Sequence, residues 1–317
     1  MTEIVFIKNN ADKWKKFETQ LSNRQKVNPD ELAELYIELT DDLSYSKTFF
    51  PKSKITQYLN GLTAKAHSTI YKNKKEESNR FKKFWFEEIP SVVFQTRKQI
   101  GYSLIIFMIS VLIGAVSSAY DEGIPRLIMG DNYINMTLDN IKKGDPMGVY
   151  GSHDELFSFA AITFNNIRVS FYAFVMGILF SVGTGYMIFQ NGILLGAFQY
   201  FFYRHDVLFS SIVAIWIHGT LEITAIIIAG GAGLVMGNSI LFPGTYSRLI
   251  SFRKGAALGS KLVIGLIPVF ITAGFLEGFV TRHYQLSPCF GLSIIGISLT
   301  FILYYFVYLP KKLSEKE

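Results

Sequence analysis

A histidine and a glutamate set four residues apart are the residues in this sequence best suited to chemistry. They are His218 and Glu222, and they lie within a long apolar run. Residues four apart share one face of a helix. Left unpaired in lipid, each group costs about 2–3 kcal/mol even on the gentler insertion scale. Together they are suited to share a proton or hydrogen bond, to bind a metal ion, or to hold a third group.

A second carboxyl group, Glu277, lies in another apolar run. We expect His218, Glu222 and Glu277 to form a buried polar cluster, with Arg168 or an asparagine as a further partner, because each is expensive to bury alone. The remaining polar candidates stand near the ends of one predicted span: Asn165, Asn166, Arg168 and Asn191.

This cluster has three interpretations. The favoured one is a structural clamp that locks helices together by hydrogen bonds. The second is a proton or substrate pathway, since ionisable groups in membranes often mark relays. The third is a catalytic or metal site, but one histidine and one glutamate lack the second histidine of an HExxH motif. We therefore assign no catalytic residue, metal or cofactor, and we do not expect an enzyme.

The elements that must position these groups are membrane-spanning helices. Half of the 317 residues are hydrophobic, and the mean hydropathy is +0.27. The apolar runs are concentrated between Gln99 and Leu309. A bilayer span needs about 20 mainly apolar residues, and its backbone must be satisfied internally. The sequence thus predicts an all-α polytopic membrane protein with about six spans: Gln99–Tyr120, Ile167–Phe189, Ile193–Tyr203, Leu208–Leu234, Leu262–Val280 and Gly291–Leu309.

The weak point of this assignment is Ile193–Tyr203, which is short for a crossing and follows a break predicted at Asn191-Gly192.

Four regions follow one another along the chain. Residues 1–78 are predicted to form a soluble, cytoplasmic helical domain. Residues 79–96 are predicted to form an amphipathic elbow in the membrane interface, whose helix ends at Pro90. Residues 97–310 form the transmembrane domain, and residues 311–317 a cytoplasmic tail. Bulky rings beside lysines suit an interfacial helix; the predicted anchors are Phe81, Phe84, Trp85 and Phe86.

Charge predicts the orientation. Basic residues precede the first span and recur at Arg253, Lys254 and in the tail, whereas the loop Asp121–Glu155 is acidic. Basic loops stay cytoplasmic, so both termini are expected in the cytoplasm of a bacterium, with the protein in its inner membrane.

Small residues predict close helix contacts, either within the chain or in a homodimer. They are Gly230, Gly233, Gly237, Gly274 and Gly278.

Several functions are excluded or disfavoured. The sequence has no phosphate-binding GxxxxGK[ST] loop, so it cannot hydrolyse nucleotide by that mechanism on its own. The net charge of +6 suits lipid-facing lysines better than a nucleic-acid surface, because no basic and aromatic stripe recurs beyond the elbow.

Over residues 80–310 the sequence resembles the stage II sporulation protein M (SpoIIM) family. The resemblance is carried by the run from His218 to Glu222, the glycine-rich run Ile228–Leu234, the pair Asn165-Asn166, Asn191-Gly192 and Glu277. It implies a membrane scaffold or assembly protein that organises envelope partners. The alternative is a permease-like subunit of an export system, with the buried groups in its pathway and a separate ATPase subunit. The expected partners are the lipid bilayer and other membrane or envelope proteins.

Overall fold

The computed structural model describes residues 2–22, 29–70, 80–151, 154–283 and 288–315. Every regular element within these residues is helical, and none of them is a strand. The expected all-α architecture is therefore confirmed. The chain divides into two compact units, Met1–Arg80 and Phe81–Glu317.

The first unit is built from three helices around an apolar core. Helix α1 is Glu3–Ser22, α2 is Pro29–Phe49 and α3 is Lys54–Ile70. Apolar side chains at helical spacing supply the core, in which Trp14, Leu39 and Leu59 are the most deeply buried. The indole Nε1 of Trp14 also donates to Asp42 Oδ2 over 2.7 Å. This hydrogen bond ties α1 to α2.

The segment expected to form an elbow is helical from Arg80 to Gln95. It consists of α4 (Arg80–Lys83), a π-helical stretch (Phe84–Glu88) and α5 (Ile89–Gln95). The expectation that Pro90 ends this helix is wrong. Pro90 stands at the start of α5, where a residue without an N–H is tolerated, and the break before the next helix falls at Thr96.

Nine further α-helices follow in the part of the chain that the structure describes. They are α6 (Arg97–Tyr120), α7 (Gly123–Met129), α8 (Asp131–Lys142), α9 (Glu155–Val175), α10 (Val182–Arg204), α11 (Leu208–Leu241), α12 (Arg248–Phe275), α13 (Pro288–Ile302) and α14 (Leu309–Ser314).

Five described segments are long and apolar enough to cross a membrane, which makes the chain a polytopic α-helical membrane protein. They are Arg97–Tyr120, Glu155–Ile178, Leu208–Leu241, Arg248–His283 and Pro288–Ser314.

The predicted second and third spans are wrong in their bounds. Residues expected in one helix over 167–189 belong to two, α9 and α10, with the chain reversing at Phe180 and Ser181, whose φ angles are 52° and 68°. The Asn191-Gly192 pair is not a break. The Asn191 side chain donates to the carbonyl of Met187 within α10, and Gly192 lies against Ser110 of α6 with no room for a Cβ. The glycine serves a close helix contact, not a turn.

Helix α10 is 23 residues long but is not among the five apolar segments, because it carries Gln190, Asn191 and Gln199. It nevertheless lies alongside α6 with the same direction: Gly192 meets Ser110, and Gly196 meets Val111. At its end, Arg204 pairs with Glu122, just beyond the end of α6. Since α6 is long enough to cross and α10 accompanies it, α10 is the sixth long helix of the bundle.

Helix α11 is the centre of this unit, and 72% of its most apolar 18-residue stretch is buried. It runs opposite to α6, since Ser103 of α6 donates to the Ile227 carbonyl while Ile100 lies against Gly231. The acidic segment expected as a loop contains α7 and α8, whose buried Ile134 packs with Phe201 and Phe202 at the end of α10.

Candidate functional site

A cavity of about 660 Å³ lies between α6, α9, α10 and α11 and is lined at one end by residues of α7 and α8. Most of its wall is apolar. The polar residues that line it include His218, Glu222, Glu277, Asn191 and Tyr133. The predicted cluster therefore borders an open volume.

His218 is held in place by a hydrogen bond to a residue that follows α12. It is only 5% exposed, and its Nδ1 lies 3.1 Å from the hydroxyl oxygen of Thr281. The Thr281 hydroxyl in turn donates to the carbonyl of Leu276 over 3.1 Å. The imidazole is thus oriented by a residue near the end of the facing span, Arg248–His283.

Glu277 reaches the same point from the π-helical stretch Leu276–Val280, which follows α12. One of its carboxyl oxygens, Oε2, lies 3.7 Å from His218 Nε2, and its side chain is 15% exposed. One ligand atom from each of His218, Glu222 and Glu277 can be chosen so that all three lie within 4.8 Å of one another. π-helical turns are rare in proteins as a whole but are often found at functional sites. The position of Glu277 in such a turn fits a functional role for this carboxyl group.

Of the predicted asparagines, Asn166 and Asn191 join this region. The Asn166 side chain, buried on α9, lies beside the Glu222 carboxyl group and interacts with it. Asn191 lines the cavity from α10. Four helical segments therefore supply polar groups to one site.

Of the two partners expected for the cluster, Arg168 or an asparagine, it is an asparagine, Asn166, that joins it. Arg168 and Asn165 do not join, which corrects their predicted place in the cluster. Both are exposed on the opposite side of α9, where Arg168 Nη2 donates to Asn165 Oδ1 over 3.4 Å. The reason is helical periodicity: successive residues are turned by about 100°, so Asn166 faces inward while Asn165 and Arg168 face outward. They line a separate groove between α9 and α12 of about 760 Å³.

Sequence reasoning missed Tyr133 and Thr281. Tyr133 belongs to α8, in the segment expected to be an irregular loop, and burial raises the pKa of its hydroxyl to about 12. The phenol therefore stays protonated at neutral pH. The signal that could have found this helix is its amphipathic pattern, with Ile134 and Thr137 buried on one face.

The small residues predicted for helix packing make contacts within the chain. Gly230 lies against Ser103 and Ile188, and Gly233 against Thr184 and the Ala173 carbonyl. The others are placed similarly: Gly237 lies against Ser181, Gly274 against Thr163, and Gly278 against Phe159.

The predicted interfacial anchors differ in exposure. Phe81 and Phe86 are exposed, whereas Phe84 and Trp85 are half-buried. The elbow is fixed to the spans by its π-helical stretch: Glu88 pairs with Lys261 of α12 over 2.7 Å, and the Trp85 carbonyl accepts from the Tyr305 hydroxyl.

Two family models match this chain, one in each of its two units. The sequence model described as Stage II sporulation protein M matches residues 103–282, more than half of the 317 residues. A model described as Domain of unknown function (DUF8413) matches residues 4–72. No curated protein and no solved structure matches. The first match contains His218, Glu222, Glu277 and the helices that bring them together, and this chain belongs to the stage II sporulation protein M family.

Proposed function

We propose that this protein is a permease-like subunit, and that the cavity beside His218, Glu222 and Glu277 binds the polar or charged species that it moves. The observation that carries the proposal is the position of three ionisable groups on the wall of a cavity of about 660 Å³ among the spans. The groups bind and release a ligand in this proposal and make no covalent bonds.

The cavity favours this function over a purely structural clamp. A clamp gains from hydrogen bonds between closely packed helices, which leave no space beside them. A cavity of about 660 Å³ is far larger than the space that a single water molecule needs. Ionisable groups beside water or a polar ligand are far less costly than the same groups in dry contact with apolar side chains.

The orientation follows from the charged ends of the bundle. The basic end, where α6 begins, carries Arg97, Lys98, Arg253, Lys254, Lys311 and Lys312. The opposite end, where α6 finishes, is more acidic and carries fewer basic residues. Its acidic residues are Asp121, Glu122, Asp131, Asp139, Asp154 and Asp206, beside Arg126, Lys142, Lys143 and Arg204. By the positive-inside rule the basic end lies in the cytoplasm of a bacterial cell, and the cavity is reached from the outer side, past Tyr133. In this proposal a separate ATPase subunit supplies the energy, as an export permease of this layout needs, and this sequence itself carries no GxxxxGK[ST] loop.

Cysteine labelling tests the proposal without knowledge of the substrate. The chain has one cysteine, so Cys289→Ser gives a background free of thiols. Ser158→Cys and Ile223→Cys place thiols on the cavity wall, while Leu112→Cys and Ile297→Cys place them on exposed faces of α6 and α13. In lipid nanodiscs, a charged methanethiosulfonate reagent should modify the two cavity thiols and leave the two controls unmodified. Cavity thiols that react only with a small apolar maleimide would show a dry site and refute the permease-like function.

A scaffold role is the second candidate, and a different observation favours it. Arg168 is exposed halfway along α9, and among the residues that the structure describes no carboxylate pairs with it. A charged side chain in this position is costly unless a neighbour compensates it. A symmetric homodimer through this face would bring Arg168 close to its own copy. A different membrane protein whose helix carries a carboxylate fits the groove better.

Photo-crosslinking in native membranes tests this second role. A photoreactive residue at Phe171, in the groove, should give one discrete adduct with another membrane protein, and the same residue at Leu112 should give none. Arg168→Gln should abolish the adduct, because it removes the charge that selects the partner. An adduct of the chain with itself, or one that survives Arg168→Gln, would exclude this partner.

A further inference from the structure

Three side chains from two spans bring metal-binding atoms to one place. They are one imidazole nitrogen of His218 and one carboxyl oxygen each of Glu222 and Glu277, all within 4.8 Å of one another. In the sequence the signal is weak, because only His218 and Glu222 are near each other along the chain. The third side chain, Glu277, comes from the π-helical stretch that follows α12.

The hydrogen bonds around His218 fix which of its nitrogens can bind a cation. The carbonyl of Leu276 can only accept, so the Thr281 hydroxyl must donate its single proton there. The oxygen of that hydroxyl is then left to accept from His218 Nδ1. In the neutral imidazole the proton is therefore on Nδ1, and Nε2 offers a lone pair toward Glu277.

The spacing of the two nearest ligand atoms suits a shared ion. His218 Nε2 and Glu277 Oε2 are 3.7 Å apart, too far for a hydrogen bond. Two ligands of a tetrahedral zinc ion, each about 2.1 Å from the metal, are about 3.4 Å apart. The observed spacing needs an adjustment of only a few tenths of an ångström for this pair, and of up to about 1.4 Å for the widest pair.

The surroundings have the features of a metal site with an open position. A metal-binding histidine usually donates its other nitrogen to a neighbour, as His218 does to Thr281, and Asn166 supports the Glu222 carboxyl group. Two ionised carboxylates balance the charge of a divalent cation, which a buried site requires. All three ligand residues line the cavity, so a fourth position on the ion would face it.

We propose that His218, Glu222 and Glu277 bind one divalent first-row transition metal ion. The ligand set of one imidazole and two carboxylates suits zinc, manganese or iron(II). The open side allows the ion to leave or to hold a group of a second ligand. The ion would lie in the cavity of the proposed permease-like function, and its role rests on that function. It is either the species that the protein moves or the group to which that species binds.

The test uses tag-free full-length protein in nanodiscs, stripped with a chelator and titrated with Co²⁺ as the probe. One equivalent should bind, with visible absorption bands typical of four or five ligands. His218→Gln, Glu222→Gln and Glu277→Gln should each abolish the bands. Thr281→Val, which removes only the partner of Nδ1, should weaken binding roughly 10- to 100-fold. Glu87→Gln, at an exposed carboxylate of the elbow, is the matched control and should bind like the wild type.

Folding of each variant is checked by size exclusion and thermal unfolding. No Co²⁺ binding by the folded wild type, or bands that survive all three ligand substitutions, would overturn the metal site. The labelling of Ser158→Cys and Ile223→Cys separates this result from failure of the permease-like function. Labelling without Co²⁺ binding refutes the metal alone, and Co²⁺ binding in a cavity closed to charged reagent refutes the transport role alone.

Discussion

Replacing Thr281 by valine should destabilise the membrane unit through His218. Valine has nearly the same shape but no hydroxyl, so His218 Nδ1 loses the partner that lies 3.1 Å away. The Leu276 carbonyl keeps a partner, because the backbone N–H of Thr281 also donates to it. The change therefore isolates one buried donor.

The expected cost is about 1–2 kcal/mol. Leaving one buried donor unsatisfied in a soluble protein costs about 1–3 kcal/mol, whereas hydrogen bonds between membrane helices average about 0.6 and reach about 1.7 kcal/mol. Thr281 is fully buried, so the upper part of the membrane range applies.

The assay is unfolding of the detergent-solubilised protein by titration with sodium dodecyl sulfate. Thr272→Val is the matched control: Thr272 is exposed on α12 and donates to the carbonyl of Pro268, so its loss should cost under about 0.5 kcal/mol. Thr281→Ser keeps the hydroxyl and should recover most of the stability. Equal unfolding of Thr281→Val and Thr272→Val would refute the hydrogen bond and, with it, the assignment of the His218 proton.

Three further predictions follow from the packing. Gly196→Ala should cost about 1–3 kcal/mol by overpacking, because its Cβ would meet the backbone of Val111, whereas Gly185→Ala, with open space around it, should be neutral in the same unfolding titration. Glu222→Gln should keep the wild-type fold and stability within about 1 kcal/mol, because the amide can still interact with Asn166. His218→Leu should cost more, since it removes the neighbour of Thr281 and Glu277. Equal melting temperatures of the two variants would contradict the contacts of His218 with Thr281 and Glu277. Trp14→Phe should destabilise the first unit by about 1–2 kcal/mol in urea, through loss of the bond to Asp42, while Tyr58→Phe, at an exposed ring, should cost under about 0.5 kcal/mol.

The spans could be predicted because burial in lipid leaves a strong signal, a long apolar run. The error at α9 and α10 came from a weaker signal. Asn191-Gly192 is typical of a turn, but in a membrane helix glycine more often permits close approach of a neighbour, as Gly192 and Gly196 do against α6. The true reversal, at Phe180 and Ser181, carries no glycine at the residues with positive φ, so no local rule marked it.

The sequence predicted which residues come together at the site better than it predicted how they are arranged. The cost of burying a charged group indicates that His218, Glu222 and Glu277 need partners, but not which partners they have. For Arg168 the same argument failed, because cost does not say which face of α9 a residue occupies. The role of Thr281 could not be predicted, because its contact with His218 depends on the helical register just after α12. Hydropathy does not encode that register.

That register depends on the π-helical stretch Leu276–Val280. Within it the Leu276 carbonyl accepts from both the N–H and the hydroxyl of Thr281, five residues later. The second of these bonds orients the Thr281 hydroxyl, and the hydroxyl places the proton on His218 Nδ1. Nε2 is thereby directed toward Glu277. In an α-helical register the N–H of Thr281 would bond to residue 277 instead, and neither the hydroxyl nor the Glu277 carboxyl group would keep its position. The π-helical stretch is thus what orients the buried imidazole of His218 toward Glu277.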